Sequence, residues 1–207
     1  MNSNVIVLDC DGVLKNYHSS YPKVWKKAFG EDLPVVNQKS YFAHKMYGLD
    51  FDYHHIGGNN DIANKFFEAF GPDIWEDMDP LPGAIDACNR LVDAGFELVC
   101  VSSMPNDNEI VKARLRGFKK HGFPIDRLVS TGGKLGFNPK VDTIIELNPI
   151  AFVDDLCSNF LGIPDTIHKA LIHLDHDDSP NIRYLDIATT QHENLTEFVE
   201  VYLSRHT

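Results

Sequence analysis

Four short stretches of this chain carry residue types that could do chemistry together. In "VIVLDCDGVL" an apolar run meets Asp9 and Asp11, with Cys10 between them and Gly12 behind. In "LVCVSSMP" another apolar run ends on Ser102 and Ser103. Lys140 stands in "NPKVDTII", and "AFVDDLCSN" ends a further apolar run on Asp154 and Asp155, with Asn159 close behind. Two carboxylates repel each other and are costly to hold near a core. Residues i and i+2 leaving a strand point the same way, so Asp9 and Asp11 converge on one small volume. A divalent cation would make such a pair tolerable. Mg2+ suits oxygen ligands and keeps waters and a phosphate group in its shell. Gly12 lets the chain turn tightly past the pair.

Taken singly, each motif has a plainer reading. Asp-x-Asp is often a solvated turn, and a carboxylate at a strand end often caps the next helix. Small hydroxyl residues are common at strand ends, and an isolated lysine is usually solvated. The elements that carry these residues therefore decide what they mean.

Short buried strands are predicted over residues 5–8, 96–101, 127–130, 150–153 and 169–174. Helical periodicity falls between them. Residues 82–94 read as a helix with Ile85, Cys88, Leu91 and Val92 inward, started by Pro82 and stopped by Gly95. Asn106 or Asp107 caps a second helix that ends near Gly122. Residues 138–147 read as a third, opened by Asn138 and Pro139, with Val141, Ile144 and Ile145 inward. A last helix covers about residues 194–203. Strands alternating with helices imply parallel βαβ units, hence an α/β fold with a Rossmann-like open parallel sheet. In such sheets the functional crevice lies beyond the carboxyl ends of the strands, where all four motifs fall.

One interval breaks this rhythm. Residues 15–80 are far longer than one crossover needs and hold 13 of the chain's 22 aromatic residues. Their helical stretches, "YPKVWKKAF", "KSYFAHKMY" and "NDIANKFFEAF", predict a small inserted helical subdomain whose core leans on large side chains. The division is therefore residues 1–14 and 81–207 for the α/β core and 15–80 for the insert.

The order strand–Asp-x-Asp, strand–Ser, helix-start Lys and strand–Asp-Asp resembles the haloacid dehalogenase-like hydrolase superfamily. "LDCDGVL" is similar to its first motif, "LVCVSSMP" to its second, Lys140 to its third, and "AFVDDLCSN" to its fourth in double-aspartate form. "LPGAIDACNRLVDAGFELVCVSS" is similar to the segment leading into the second motif. The insert sits where that superfamily places a helical cap of the first type. The resemblance implies a Mg2+-dependent phosphatase working through an aspartyl-phosphate on a small phosphorylated metabolite. It implies Asp9 as nucleophile and Asp11 as acid and base. Ser102 would hold the phosphoryl group, helped by Ser103 and by amides around Cys10 and Gly12. Lys140 would neutralise charge, with Lys134 in "TGGKLG" as its rival. Mg2+ would be held by Asp9, Asp11 (through its carbonyl), Asp154 and Asp155, with Asp155 favoured as direct ligand and Asn159 behind it. Asp11 favours phosphate chemistry over dehalogenation, because a halide leaves without a proton. A phosphomutase and a non-catalytic binding protein are the alternatives.

Composition narrows the partners. The net charge of −11 argues against nucleic acid or an anionic membrane, both of which need a basic footprint. Cys10, Cys88, Cys100 and Cys157 form no paired zinc motif and read as reduced core residues of a cytoplasmic protein. Cys10, between the two aspartates, is a place where oxidation would interfere. His54 and His55 read as exposed loop residues. His173, His176, Asp177 and Asp178 read as a solvated polar turn.

Overall fold

The computed structural model describes residues 4–52, 58–132, 138–173 and 175–206. Aliphatic runs build β1 (Val5–Leu8), β2 (Glu97–Ser102), β3 (Arg127–Ser130), β4 (Ala151–Asp154) and β5 (His168–Ile172), and β6 (Thr190–His192) follows. Among the described residues they form one sheet in the order β3-β2-β1-β4-β5-β6, parallel throughout. Between β1 and β2 lie α1 (Ser20–Phe29), α2 (Ala43–Met46), α3 (Asp61–Ala69), α4 (Pro72–Glu76) and α5 (Ala84–Asp93). After β2 come α6 (Asn108–His121), α7 (Val141–Leu147) and α8 (Leu195–His206). This is the Rossmann-like α/β core that the strand–helix alternation predicts.

Strand side chains alternate between two faces, and here both are covered. Ile6, Leu8, Leu98, Cys100 and Val153 pack with Ala87, Leu91 and Phe198 of α5 and α8. Val7, Val99, Val101 and Phe152 pack with Ile144 of α7 and with Phe160. No helix among the described residues is long and apolar enough to cross a membrane. All four cysteines are buried and free.

The helices preceding α5 have a packing centre of their own. Tyr21, Val24, Phe51, Phe66, Phe70 and Trp75 form a buried cluster that also takes in Met104 and Ala113. Lys15 bridges both Asp11 and Pro80, so the chain enters and leaves this region along adjacent segments. Lys15 is itself fully buried, and its Nζ donates to the Met78 carbonyl at 3.0 Å.

Several local expectations are corrected. Val92 and Ile145, expected inward, are 39% and 48% exposed. Each lies one residue, a 100° turn, beyond a fully buried neighbour, Leu91 or Ile144, so the buried stripe is narrower than the apolar pattern. The third helix starts at Val141 and not at Asn138, which adopts φ 34°. The Asn138 amide donates to the carbonyls of Asn159 and Leu161, at 2.6 and 2.8 Å, and so holds that turn outside the helix. Asp107, not Asn106, caps α6, its carboxylate accepting from the amides of Glu109 and Ile110. The sequence pattern does not predict β6 or α4: "TQH" has no apolar run, and α4 is barely one turn.

The stretch expected to be a solvated turn is a tie. The Asp178 carboxylate accepts from the Tyr41 amide at 2.6 Å and from the Ser40 hydroxyl at 2.9 Å. Lys45 adds an ion pair at 3.4 Å. These contacts fasten the segment before α2 to the loop after β5. The same stretch holds His173 and His176. Their Nδ1 atoms are buried without a hydrogen-bond partner among the described residues, and His176 stacks against His18 with ring centroids 6.1 Å apart.

Candidate active site

The site forms where the three central strands end. β1 runs into Asp9, whose amide donates to the Val153 carbonyl of β4 at 2.9 Å. β4 ends on Asp154 and delivers Asp155 just beyond it. β2 ends on Ser102, paired in register with Ser130 of β3. Asp9, Asp154 and Asp155 are all buried, and each offers a carboxylate oxygen within 4.8 Å of the others'.

Lys140, at the start of α7, meets this cluster from the side. Its Nζ donates to Asp9 and to Asp154, both at 2.7 Å. The side chain is 1% exposed. Burial works against its charge, but the attraction of Asp154 and Asp9 outweighs that and holds its pKa above the ordinary lysine value. Burial raises the Asp9 carboxyl to about 7; Lys140 pulls it down and Asp154 pushes it up. The Asp155 carboxyl is raised well above the ordinary range by burial, then by Asp154 and Asp9.

The two neighbouring aspartates are differently engaged. Asp154 is saturated: one oxygen accepts from the Leu156 amide at 2.9 Å, the other from Lys140, and Asn159 donates to both at 3.0 Å. Among the described residues Asp155 takes one side-chain donor, the Tyr41 hydroxyl, at 3.2 Å. Gly12 lets Asp155 come this close. It has φ 85°, and a Cβ there would collide with the Asp155 carboxylate. Gly12→Ala is therefore expected to destabilise the protein by about 1–3 kcal/mol and to weaken divalent-cation binding at least tenfold. Thermal denaturation with and without Mg2+ checks both effects.

Asp11 stands apart from the cluster. Its carboxylate pairs with Arg114 of α6, Nη2 to Oδ1 at 2.9 Å, and its side chain keeps 25% exposure. Ser102 is 2% exposed at the strand end, and Ser103 follows it, partly exposed. The Cys10 side chain is fully buried in the core, and its carbonyl accepts from the amides of Leu14 and Lys15. The Gly12 amide donates to the Lys15 carbonyl at 3.0 Å within the turn. What Gly12 visibly provides is the close approach of Asp155. Lys134, His54 and His55 lie outside the described residues.

Two contributors escaped sequence reasoning. Tyr41 reaches Asp155 across 114 positions, and no local signal marks it. Arg114 did leave a signal. It lies four residues after Ile110 and four before Phe118, so a guanidinium sits on the apolar stripe of α6.

The carboxylate cluster fits a hard divalent cation. Three converging, buried oxygen donors, two of them with spare acceptor capacity, are the donor set that Mg2+ takes. The pH dependence of stability tests this. A carboxyl whose folded pKa is raised binds more protons folded than unfolded, so stability falls as pH rises through the window. For Asp9 that window runs from 3.8 to about 7, and Asp155 acts in the same direction. Without divalent cations the protein is expected to melt lower at pH 7.5 than at pH 5. Mg2+ should remove most of that difference.

Comparison with known proteins agrees with this architecture. No protein-family model matches the chain. A haloacid dehalogenase-like family hydrolase from Streptococcus pneumoniae superposes with TM-score 0.61 at 12% identity, over 97% of this chain and 98% of that one. A HAD family hydrolase from Deinococcus radiodurans R1, solved with bound phosphate and sodium, gives 0.60 at 13% identity, over 98% and 96%. The chain has the haloacid dehalogenase-like hydrolase fold. In sequence it is similar to the human cytosolic 5'(3')-deoxyribonucleotidase, 23% identical over 136 residues. That match covers 62% of this chain and 64% of the human protein, under two thirds of its length.

Proposed function

We propose that this chain is a Mg2+-dependent phosphatase that hydrolyses a small phosphomonoester through an aspartyl-phosphate on Asp9. The observation that carries the reading is Lys140 bridging Asp9 and Asp154 at 2.7 Å each, beside Asp155, at the carboxyl edge of the sheet. Asp9 and Asp155 are the side chains that would hold Mg2+, because Asp154 is already saturated by Lys140, Asn159 and the Leu156 amide. When bound, the cation would supply positive charge that keeps Asp9 ionised and offsets the phosphoryl oxygens.

The chain's own residues account for the rest. An Asp9 oxygen attacks phosphorus, and the bond from phosphorus to the leaving oxygen breaks. Asp11 enters this step as the carboxylic acid and gives that oxygen its proton, which leaves it a carboxylate. A water then attacks phosphorus, the Asp9–phosphorus bond breaks, and Asp11 takes the water's proton. Asp11 suits this work because it stands outside the buried cluster with part of its side chain open to solvent. Ser102 would donate to a phosphoryl oxygen, and Lys140 would steady charge on Asp9. The helices between β1 and α5 would form a cap over the crevice, with Tyr41 at its inner edge.

The likeness to a deoxyribonucleotidase makes deoxyribonucleoside monophosphates the first substrates to test. The test is phosphate release from these and from 4-nitrophenyl phosphate, with Mg2+ and with chelator. Release that depends on Mg2+ supports the reading; none from any phosphomonoester overturns it. Conversion of one sugar phosphate isomer to another without net release would instead indicate the mutase.

A further inference from the structure

We propose that Arg114 is a positioning residue for Asp11: it holds that carboxylate away from the acidic cluster, where it can reach the leaving group. The inference rests on the phosphatase reading above and extends it to a residue on α6.

Three contacts define the arrangement. Arg114 is fully buried, and its Nη2 donates to Asp11 at 2.9 Å. Its Nη1 lies 3.1 Å from the Met78 sulfur, and the guanidinium sits 4.7 Å from the centre of the Trp75 ring. Its Nε is buried and donates to no protein acceptor among the described residues. Trp75 and Met78 belong to the region before α5, so the guanidinium is clamped between that region and the sheet. Gly117, one turn along α6, sharpens the clamp, since a Cβ there would strike the Glu76 backbone.

Stability alone is a poor explanation for this residue. A buried ion pair contributes little net stability, and an apolar side chain of similar volume often does as well or better. A buried donor with no partner adds a further cost. Asp11 is different, because two carboxylates leaving one strand converge unless something separates them. Without Arg114, nothing else described here pairs with the Asp11 carboxylate, and a divalent cation at Asp9 and Asp155 would attract it. Drawn to that cation, Asp11 could not protonate a leaving oxygen. A bidentate-capable planar cation, fixed by an aromatic face, gives the directional hold that a flexible lysine would not.

The test separates positioning from folding through the leaving group. Arg114→Met and Arg114→Lys are compared with the parent in rapid-quench measurements of phosphoenzyme formation, using 4-nitrophenyl phosphate and phenyl phosphate. Nitrophenolate leaves without needing a proton, whereas phenolate needs one. For Arg114→Met the phenyl phosphate rate should fall about 10²–10³-fold and the nitrophenyl rate less than about tenfold. Arg114→Lys should recover part of the loss. Asp11→Asn should show the same split, and adding Arg114→Met to it should change little, since both act through one carboxylate. Equal losses on the two substrates, or losses that add to those of Asp11→Asn, would overturn the proposal. If Arg114→Met fails to fold, the same split in Arg114→Lys decides. Nitrophenyl phosphate turnover by the parent checks the phosphatase reading independently.

Discussion

Asp9→Asn is expected to lower Mg2+-dependent phosphate release by about 10⁴-fold or more while leaving the protein folded. The size follows from the role: an amide cannot form the acyl phosphate, and loss of a nucleophile commonly removes several orders of magnitude. Folding should survive because Lys140 keeps Asp154 as its partner at 2.7 Å, and the side-chain volume is conserved. In the absence of divalent cations the variant should melt no lower than the parent. It removes one of three crowded buried acids, whose pKa burial had raised to about 7. The rise in melting temperature on adding Mg2+ should shrink, since one of the two side chains proposed to hold the cation is gone. Release within tenfold of the parent would exclude Asp9 as the nucleophile.

Lys140→Met should produce the largest change in stability. The lysine is 1% exposed and separates two carboxylates that it touches at 2.7 Å each. Removing it leaves Asp9 and Asp154 facing each other in a buried site. Stranding a buried charge in this way costs about 3–5 kcal/mol. For a chain of this size each kcal/mol moves the melting temperature by about 2–4 °C, so a fall of roughly 6–20 °C is expected at pH 7.5. Lower pH should recover part of it, because protonating either acid relieves the repulsion. Mg2+ should recover part as well. Activity should fall by about 10²–10⁴-fold even where the protein is fully folded, since the charge near the attacked phosphoryl group is missing. Unchanged stability in the metal-free variant would mean that Lys140 is not the counter-ion of this cluster.

How far these residues could be found without the structure follows from how each is specified. Asp9, Asp11, Ser102, Asp154 and Asp155 are legible because a strand end is a local property. An apolar run that stops on a carboxylate or hydroxyl places that group at the sheet edge, whatever the rest of the chain does. Lys140 was legible only through its company, since on its own it reads as a surface lysine. Asn159 was anticipated behind the aspartates, and the structure adds that it donates to both oxygens of Asp154. Arg114 could have been flagged from its place on an apolar stripe, but its partner, 103 positions away, could not. Tyr41 and Asp178 were beyond reach, since a segment of polar and aromatic residues does not announce which loop it will touch.

Local pattern along the chain specifies the parallel α/β core and the strand ends from which acids and hydroxyls project. Both follow from periodicities of two and about three and a half residues, which are written in consecutive positions. Packing between distant segments sets which acids are spoken for. It saturates Asp154, leaves Asp155 with a tyrosine from the inserted helices, and ties Asp11 to a buried arginine. Those choices depend on distances between segments a hundred residues apart, set by how helices pack on the sheet and not by any pattern along the chain.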